Sequence, residues 1–204
     1  MASEQEALRE YLTPTAPRIS SFVAALQDAR NATGRDSETG TVRMELATGS
    51  WLGAVGYMLL LDQIGTAVEP AGRPAMEGRA ILRALKWWAP GVTDRVAKAI
   101  YALRCALAHD YSLFNRHAKD PELCHEFRLH RGTGALVQLP ARPWQGDFTQ
   151  LHDPTTISLR VLGDRVEGVA SAVKESHARG EVRIAKGLSP DDLLQRYSFV
   201  QVTS

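Results

Sequence analysis

Arg104, His109 and Tyr111 stand together as Arg104-x4-His109-x-Tyr111, at the end of a segment with a clear apolar stripe. Arginine offers a permanent planar fork of donors that suits a phosphate, and histidine exchanges a proton near neutral pH. Together they supply what RNA cleavage without a metal requires: a base for the 2′-hydroxyl proton and a cation for the charged phosphorane. A histidine in a last helical turn also feels the negative end of the helix dipole, which favours its protonated form. On a regular α-helix, however, five residues turn through about 500° and leave the two side chains about 140° apart. A single regular helix therefore does not aim both groups at one phosphate. The structural alternative is that Arg104 pairs with a carboxylate such as Asp62 while His109 only terminates its helix.

Spacing alone is weak evidence. With 19 Arg and 6 His in 204 residues, about 0.6 Arg-x4-His pairs arise by chance, and requiring the tyrosine lowers this to about 0.01. Location adds to it. Residues 73–119 carry nine basic groups against three acidic ones, a local charge of +6 in a chain whose net charge is +1. Such a segment suits either an anionic partner or a solvated basic face. Arg79, Arg83 and Lys86 stack at i, i+4 and i+7, and with Lys98 and Arg116 they form a candidate RNA track through phosphate contacts. No interleaved aromatics accompany that stripe, and Trp87 and Trp88 read as core, with Trp88 on the apolar face.

The stretch from Tyr101 to Leu113 that carries Arg104-x4-His109 resembles the HEPN superfamily (higher eukaryotes and prokaryotes nucleotide-binding domain). The resemblance spans about residues 43–116 and is sharp only over 101–113. It implies an antiparallel α-helical bundle with the motif on a late helix, and a metal-independent endoribonuclease with Arg104 and His109 as catalytic residues. A symmetric homodimer would place both copies of the motif in one shared cleft. Cleavage would leave a 2′,3′-cyclic phosphate and a 5′-hydroxyl, with no cofactor. The longer R-x4-H-x-Y form is similar to toxins paired with a minimal nucleotidyltransferase antitoxin, which modifies the motif tyrosine, here Tyr111. Toxin or antiphage defence is the implied setting. Many members carry Asn, Asp or His after the arginine; this chain has Cys105, a poorer hydrogen-bond former, and Asp110 is an alternative support. The alternative reading is thus a catalytically inactive HEPN-like scaffold that binds RNA, nucleotide or a partner protein. A third reading is a helical dimerisation module without nucleic acid.

Other chemistries lack their signatures: no phosphate-binding loop, dinucleotide fingerprint, nucleophile elbow or HExxH motif occurs. Cys124, His125 and His130 are close in sequence, but 125 and 130 point to opposite faces of an extended strand and read as surface histidines, not metal ligands. Two cysteines are too few for a disulfide framework, which suits a reduced, cytoplasmic protein. The acidic start is unlike a signal peptide, and the longest uncharged run, 46–61, is shorter than the ~20 residues of a membrane span.

The elements that must position the motif follow from periodicity. At 44% hydrophobic and 23% charged, the chain reads as one folded domain over residues 1–204. Ser3 and Glu6 fit a capping box for a helix to Leu12, and a second helix follows Pro17 to about Thr33. Residues 43–66 read as a helix apolar nearly all round, placed centrally, with Gly53 and Gly56 permitting close approach. Helices follow over 75–88 and from Asp94 to at least His109. Residues 125–130 and 135–139 read as a β-hairpin about a glycine turn, inside an insertion over 120–150. Asp153-Pro154 reads as the start of a long C-terminal helix toward Gly180. A short strand at 182–184 and a helix at 190–197 finish the chain. The expected fold class is mainly α, an antiparallel helical bundle with a small β-hairpin insertion.

Overall fold

The computed structural model describes residues 2–43, 50–74, 76 and 78–200. Helix α1 (Glu4–Leu12) begins with the expected capping box between Ser3 and Glu6 and buries Ala7, Leu8, Tyr11 and Leu12. Strand β1 (Arg18–Ser20) leads into α2 (Ser21–Ala32), capped by Ser20. Helix α3 (Trp51–Ala67) is capped by Ser50; the expected helical start before it, at 44–49, lies outside the described residues. As its pattern requires, α3 is central and packs on α2 and on three helices that follow it: α4 (Ala80–Trp88), α5 (Asp94–Cys105) and α6 (Leu159–Ala178). Its small residues explain how close these helices come. A Cβ on Gly53 would lie 2.2 Å from Thr33 Cγ2, and one on Gly56 3.2 Å from the Cβ of Ala29. Tyr57, Met58, Leu60, Leu61 and Ile64 meet Ile81, Leu85, Ile100, Leu103, Leu162, Val166 and Val169 in one continuous core.

The mainly α expectation is overturned. The structure is about 50% helical with 14% strand, and the described residues form an α/β mix with three small sheets rather than an antiparallel helical bundle. Strand β2 (Val68–Pro70) pairs antiparallel with β7 (Val182–Ile184), and β8 (Ser198–Val200), which follows α7 (Pro190–Tyr197), returns to pair with β1. The third sheet has four strands in the order β3 (Phe114–Asn115), β4 (His125–His130), β6 (Thr155–Ser158), β5 (Val137–Gln138). Of the short strands in the two-stranded sheets, only β7 matches an expected strand, the one at 182–184; the others clamp distant segments without leaving a periodic signature.

The expected hairpin does not form either. Strands β4 and β5 are both present, but β6 lies between them, parallel to β4 and antiparallel to β5. The register explains the preference: Leu129, Ile157 and Val137 line up across three strands, and Ile157 is fully buried. The Ser158 hydroxyl then donates to the Gly132 carbonyl at 2.5 Å, tying β6 to the glycine turn. For the same reason Asp153-Pro154 does not start the long helix. The β-branched run Thr155-Thr156-Ile157 is drawn into the sheet, and α6 begins five residues later, at Leu159, capped by Ser158.

An ionic cluster built on two buried arginines locks α6 to α2 and to the segment after it. Arg30 makes a two-pronged pair with Glu167, which also accepts from the Tyr57 hydroxyl at 2.8 Å, and Arg35 reaches Asp164 at 2.7 Å. Both arginines are buried and also donate to backbone carbonyls, although Arg35 Nε finds no acceptor among the described residues. Among the described residues no helix is long and apolar enough to cross a membrane.

Candidate functional site

Thr93 caps α5, and Val96, Ile100 and Leu103 face the other helices as the apolar stripe requires. Past Cys105 the helix does not stay regular. Residues Ala106–Asp110 form a π turn, in which Tyr111 N–H reaches back to the Ala106 carbonyl. A π turn holds more than four residues per turn, so each residue turns through less than about 100° and the separation falls below the roughly 140° of a regular helix. His109 Nε2 lies 3.3 Å from Arg104 Nη1 in a single chain. The helix is not regular to its end, so the separation expected of a regular one does not apply here.

Arginine only donates, so this contact requires Nε2 to accept, which places the proton of a neutral His109 on Nδ1. Arg104 is aimed by Asp62 of α3, whose Oδ2 accepts from Nε at 2.6 Å. Both partners are about a quarter exposed, 23% and 22%, so the guanidinium is anchored at one edge and still reached by solvent. Pairing with Asp62 is what the structural alternative anticipated for Arg104. The contact to His109 is what that alternative did not contain.

The motif's other members are spread around this pair. Cys105 is half-buried; burial pushes its thiol up, and the neighbouring Arg104 and Arg79 pull it back only in part. Asp110 is exposed, and no hydrogen bond among the described residues ties it to Arg104 or His109. Tyr111 ends the π turn in the left-handed region (φ 48°), unusual for a side chain of this size. It is 60% exposed, with its ring 5.6 Å from that of Trp51 at the start of α3.

The basic stripe is broken up by the fold. Arg79 lies over the Tyr101 ring at 4.2 Å and within electrostatic reach of Cys105, beside the Arg104 site. Arg83 is turned inward, donating to the Gly65 carbonyl through Nε and Nη2 and to that of Gly78 through Nη1. Lys98 is paired with Glu122 and lies 3.7 Å from Asp120. Lys86 and Arg116 are exposed. The stripe thus leaves Arg79 near the motif, with Lys86 and Arg116 elsewhere on the surface.

His125 is not the surface histidine expected of it. It is buried, with Nδ1 2.8 Å from the Thr155 hydroxyl and Nε2 2.9 Å from the Glu122 carbonyl. His130 accepts the Gly132 amide at 3.2 Å, and Cys124 Sγ bonds the backbone of His117. Among the described residues no three His, Cys, Asp or Glu side chains gather as metal ligands. Sequence reasoning missed the aromatic group Phe114, Trp144, Phe148 and His152, whose members come from two segments thirty residues apart in sequence. The Trp and Phe spaced through the Pro-rich stretch 140–148 were its one visible trace. Compared with protein-family models, with curated proteins and with solved structures, the chain matches none.

Proposed function

We propose that the chain is a metal-independent endoribonuclease whose reactive pair is His109 and Arg104. The observation that carries this reading is the 3.3 Å approach of His109 Nε2 to Arg104 Nη1, made by the π turn, with Asp62 holding the guanidinium from behind. In the resting arrangement the histidine lone pair accepts from the arginine. A phosphodiester entering between them takes the arginine donor for its non-bridging oxygen and frees Nε2 for the adjacent 2′-hydroxyl. The O2′–P bond forms as the P–O5′ bond breaks. His109 takes the 2′ proton, and a protonated imidazole, supplied by His109 of a second copy in a symmetric dimer, delivers a proton to the leaving 5′-oxygen. The products are a 2′,3′-cyclic phosphate and a 5′-hydroxyl. Arg79, beside the site, adds a second cation for the flanking phosphate.

By the same resemblance the setting is a cytoplasmic toxin or antiphage effector, with an antitoxin or nucleotidyltransferase partner that modifies exposed Tyr111. A second reading, an inactive scaffold binding RNA, nucleotide or protein, is favoured by one contact: Asp62 already neutralises part of the Arg104 charge. The experiment that separates them incubates purified protein with mixed cellular RNA in EDTA, beside His109→Ala and Arg104→Ala. Cleavage by the unaltered chain alone, with cyclic-phosphate ends, is the expected result. Binding without cleavage under every metal and pH condition selects the scaffold.

A further inference from the structure

One short strand beyond the motif lies a second surface with an unusual composition. Phe114 and Phe148 are 40% and 62% exposed, and their rings meet edge to face at 4.9 Å. Trp144 is buried behind them, 5.7 Å from Phe114 and 4.8 Å from Phe148. His152 packs against both Trp144 and Phe148, and its two ring nitrogens face the Gln150 carbonyl and the Glu126 carboxylate. Both exposed rings rest on Trp144, although Phe148, Trp144 and His152 all belong to the irregular segment between β5 and β6. The Trp144 indole N–H finds no acceptor among the described residues, so the cluster is incomplete as a packing unit.

Charge and position say what it faces. Arg116, two residues beyond Phe114, is exposed and lies against Gly146, where an added Cβ would come 3.0 Å from its Nε. Of the acids around the patch, Glu126 is held by His152 and Asp153 by Arg142, while Asp147, bonded only by the uncharged Thr149 and Gln150, keeps its charge. Arg116 feels Asp147 only at a distance. Phe114 follows His109 by five residues, which bounds their Cα separation at about 18 Å. The intervening turn is fixed, since the Ser112 hydroxyl bonds both the amide and the carbonyl of Phe114 and Leu113 accepts the Phe127 amide.

We propose that Phe114 and Phe148, backed by Trp144 and flanked by Arg116, stack an unpaired base of the RNA strand whose phosphate sits at Arg104 and His109. This rests on the ribonuclease reading above and gives it a substrate class, single-stranded RNA. Every base has a π-face for an exposed ring, whereas in a duplex those faces are covered by neighbouring bases. Arg116 adds a backbone phosphate contact beside the stacked base.

The test measures binding of a fluorescein-labelled, mixed-sequence RNA 12-mer in a His109→Ala background, which keeps the strand uncut. Phe148→Ala is expected to weaken single-strand binding about tenfold, with Phe148→Trp retaining it. A 12-mer of abasic ribose-phosphate units should bind weakly and be indifferent to Phe148→Ala. Arg116→Ala should reduce the slope of log affinity against log salt by about one. Unchanged RNA affinity in both Phe148→Ala and Phe114→Ala overturns the platform and points to a protein partner for the patch. If the unaltered chain cleaves RNA while those variants bind normally, the platform falls and the nuclease stands. Ring-dependent binding without any cleavage leaves the platform standing and removes the nuclease. No binding of the 12-mer at all overturns both.

Discussion

Arg104 and Asp62 are joined Nε to Oδ2 at 2.6 Å, and the other oxygen of the same carboxylate accepts the Ile81 amide at 3.2 Å. Arg79, at the cap position of α4, makes no side-chain capping bond, so Asp62 caps that helix from the neighbouring one. One carboxylate thus fixes the direction of the motif arginine and the start of the helix that brings Arg79 beside it.

Replacing Asp62 should therefore be felt in both stability and rate. Asp62→Ala leaves a quarter-exposed guanidinium unpaired and a helix amide uncapped, an expected loss of about 2–3 kcal/mol in urea denaturation. Asp62→Asn keeps an acceptor and should lose about 1 kcal/mol. In cleavage assays both should slow turnover through a misdirected Arg104. An unaltered urea midpoint in Asp62→Ala would show the contact to be incidental.

Arg104→Lys tests the fork directly. A lysine keeps the charge but has one nitrogen, which cannot hold Asp62 through one donor edge and offer another beside His109. Cleavage should fall by about 100-fold or more while the thermal midpoint moves little. Retained activity would mean that only the charge at this position matters.

The packing of α3 against α4 predicts opposite outcomes for two glycines. A Cβ on Gly65 would stand 1.9 Å from the Ala80 carbonyl oxygen, a backbone atom that cannot rotate away, and the Gly65 carbonyl also receives Arg83. Gly65→Ala should cost about 3 kcal/mol or more, or abolish soluble expression. Gly168, on the exposed side of α6, has nothing within 4 Å of an added Cβ. Gly168→Ala should gain about 0.5–1 kcal/mol from helix propensity alone. Chemical denaturation of the two variants side by side decides both.

The sequence made legible what is local. The capping box of α1, the central place of α3 with its glycine contacts, β7, and the bounds of α7 all follow from neighbours a few residues apart. What it hid depends on distant partners. Nothing near residue 155 reveals that β6 will separate β4 from β5, because the deciding contact is Ile157 lying between Leu129 and Val137. The site shows the same division. Arg104, His109 and Tyr111 were visible as residue types at a spacing, but their convergence depends on a π turn that periodicity does not encode. Of the basic stripe, Arg83 and Lys98 find internal partners, in the Gly65 and Gly78 carbonyls and in Glu122, that charge counting could not supply.

His125 gives the fold a dependence on pH. With Nδ1 accepting from the Thr155 hydroxyl and Nε2–H donating to the Glu122 carbonyl, the neutral ring is fully satisfied, and burial holds its pKa below the ordinary value. A proton on Nδ1 would face a hydroxyl that must reverse, at a buried ring. The folded state therefore binds this proton less readily than the unfolded chain does. The stability that the neutral ring contributes is complete above the unfolded histidine value of about 6.5 and is lost as pH falls below it. Half-buried His177 is shifted the same way by desolvation, whereas His152, held by the Gln150 carbonyl and Glu126, is raised and acts in the opposite sense. The urea midpoint should fall between pH 7 and pH 5, and His125→Gln, a neutral side chain with a donor and an acceptor, should flatten that fall while lowering the midpoint at pH 7. A midpoint equally steep in pH for His125→Gln and the unaltered chain would assign the acid sensitivity elsewhere.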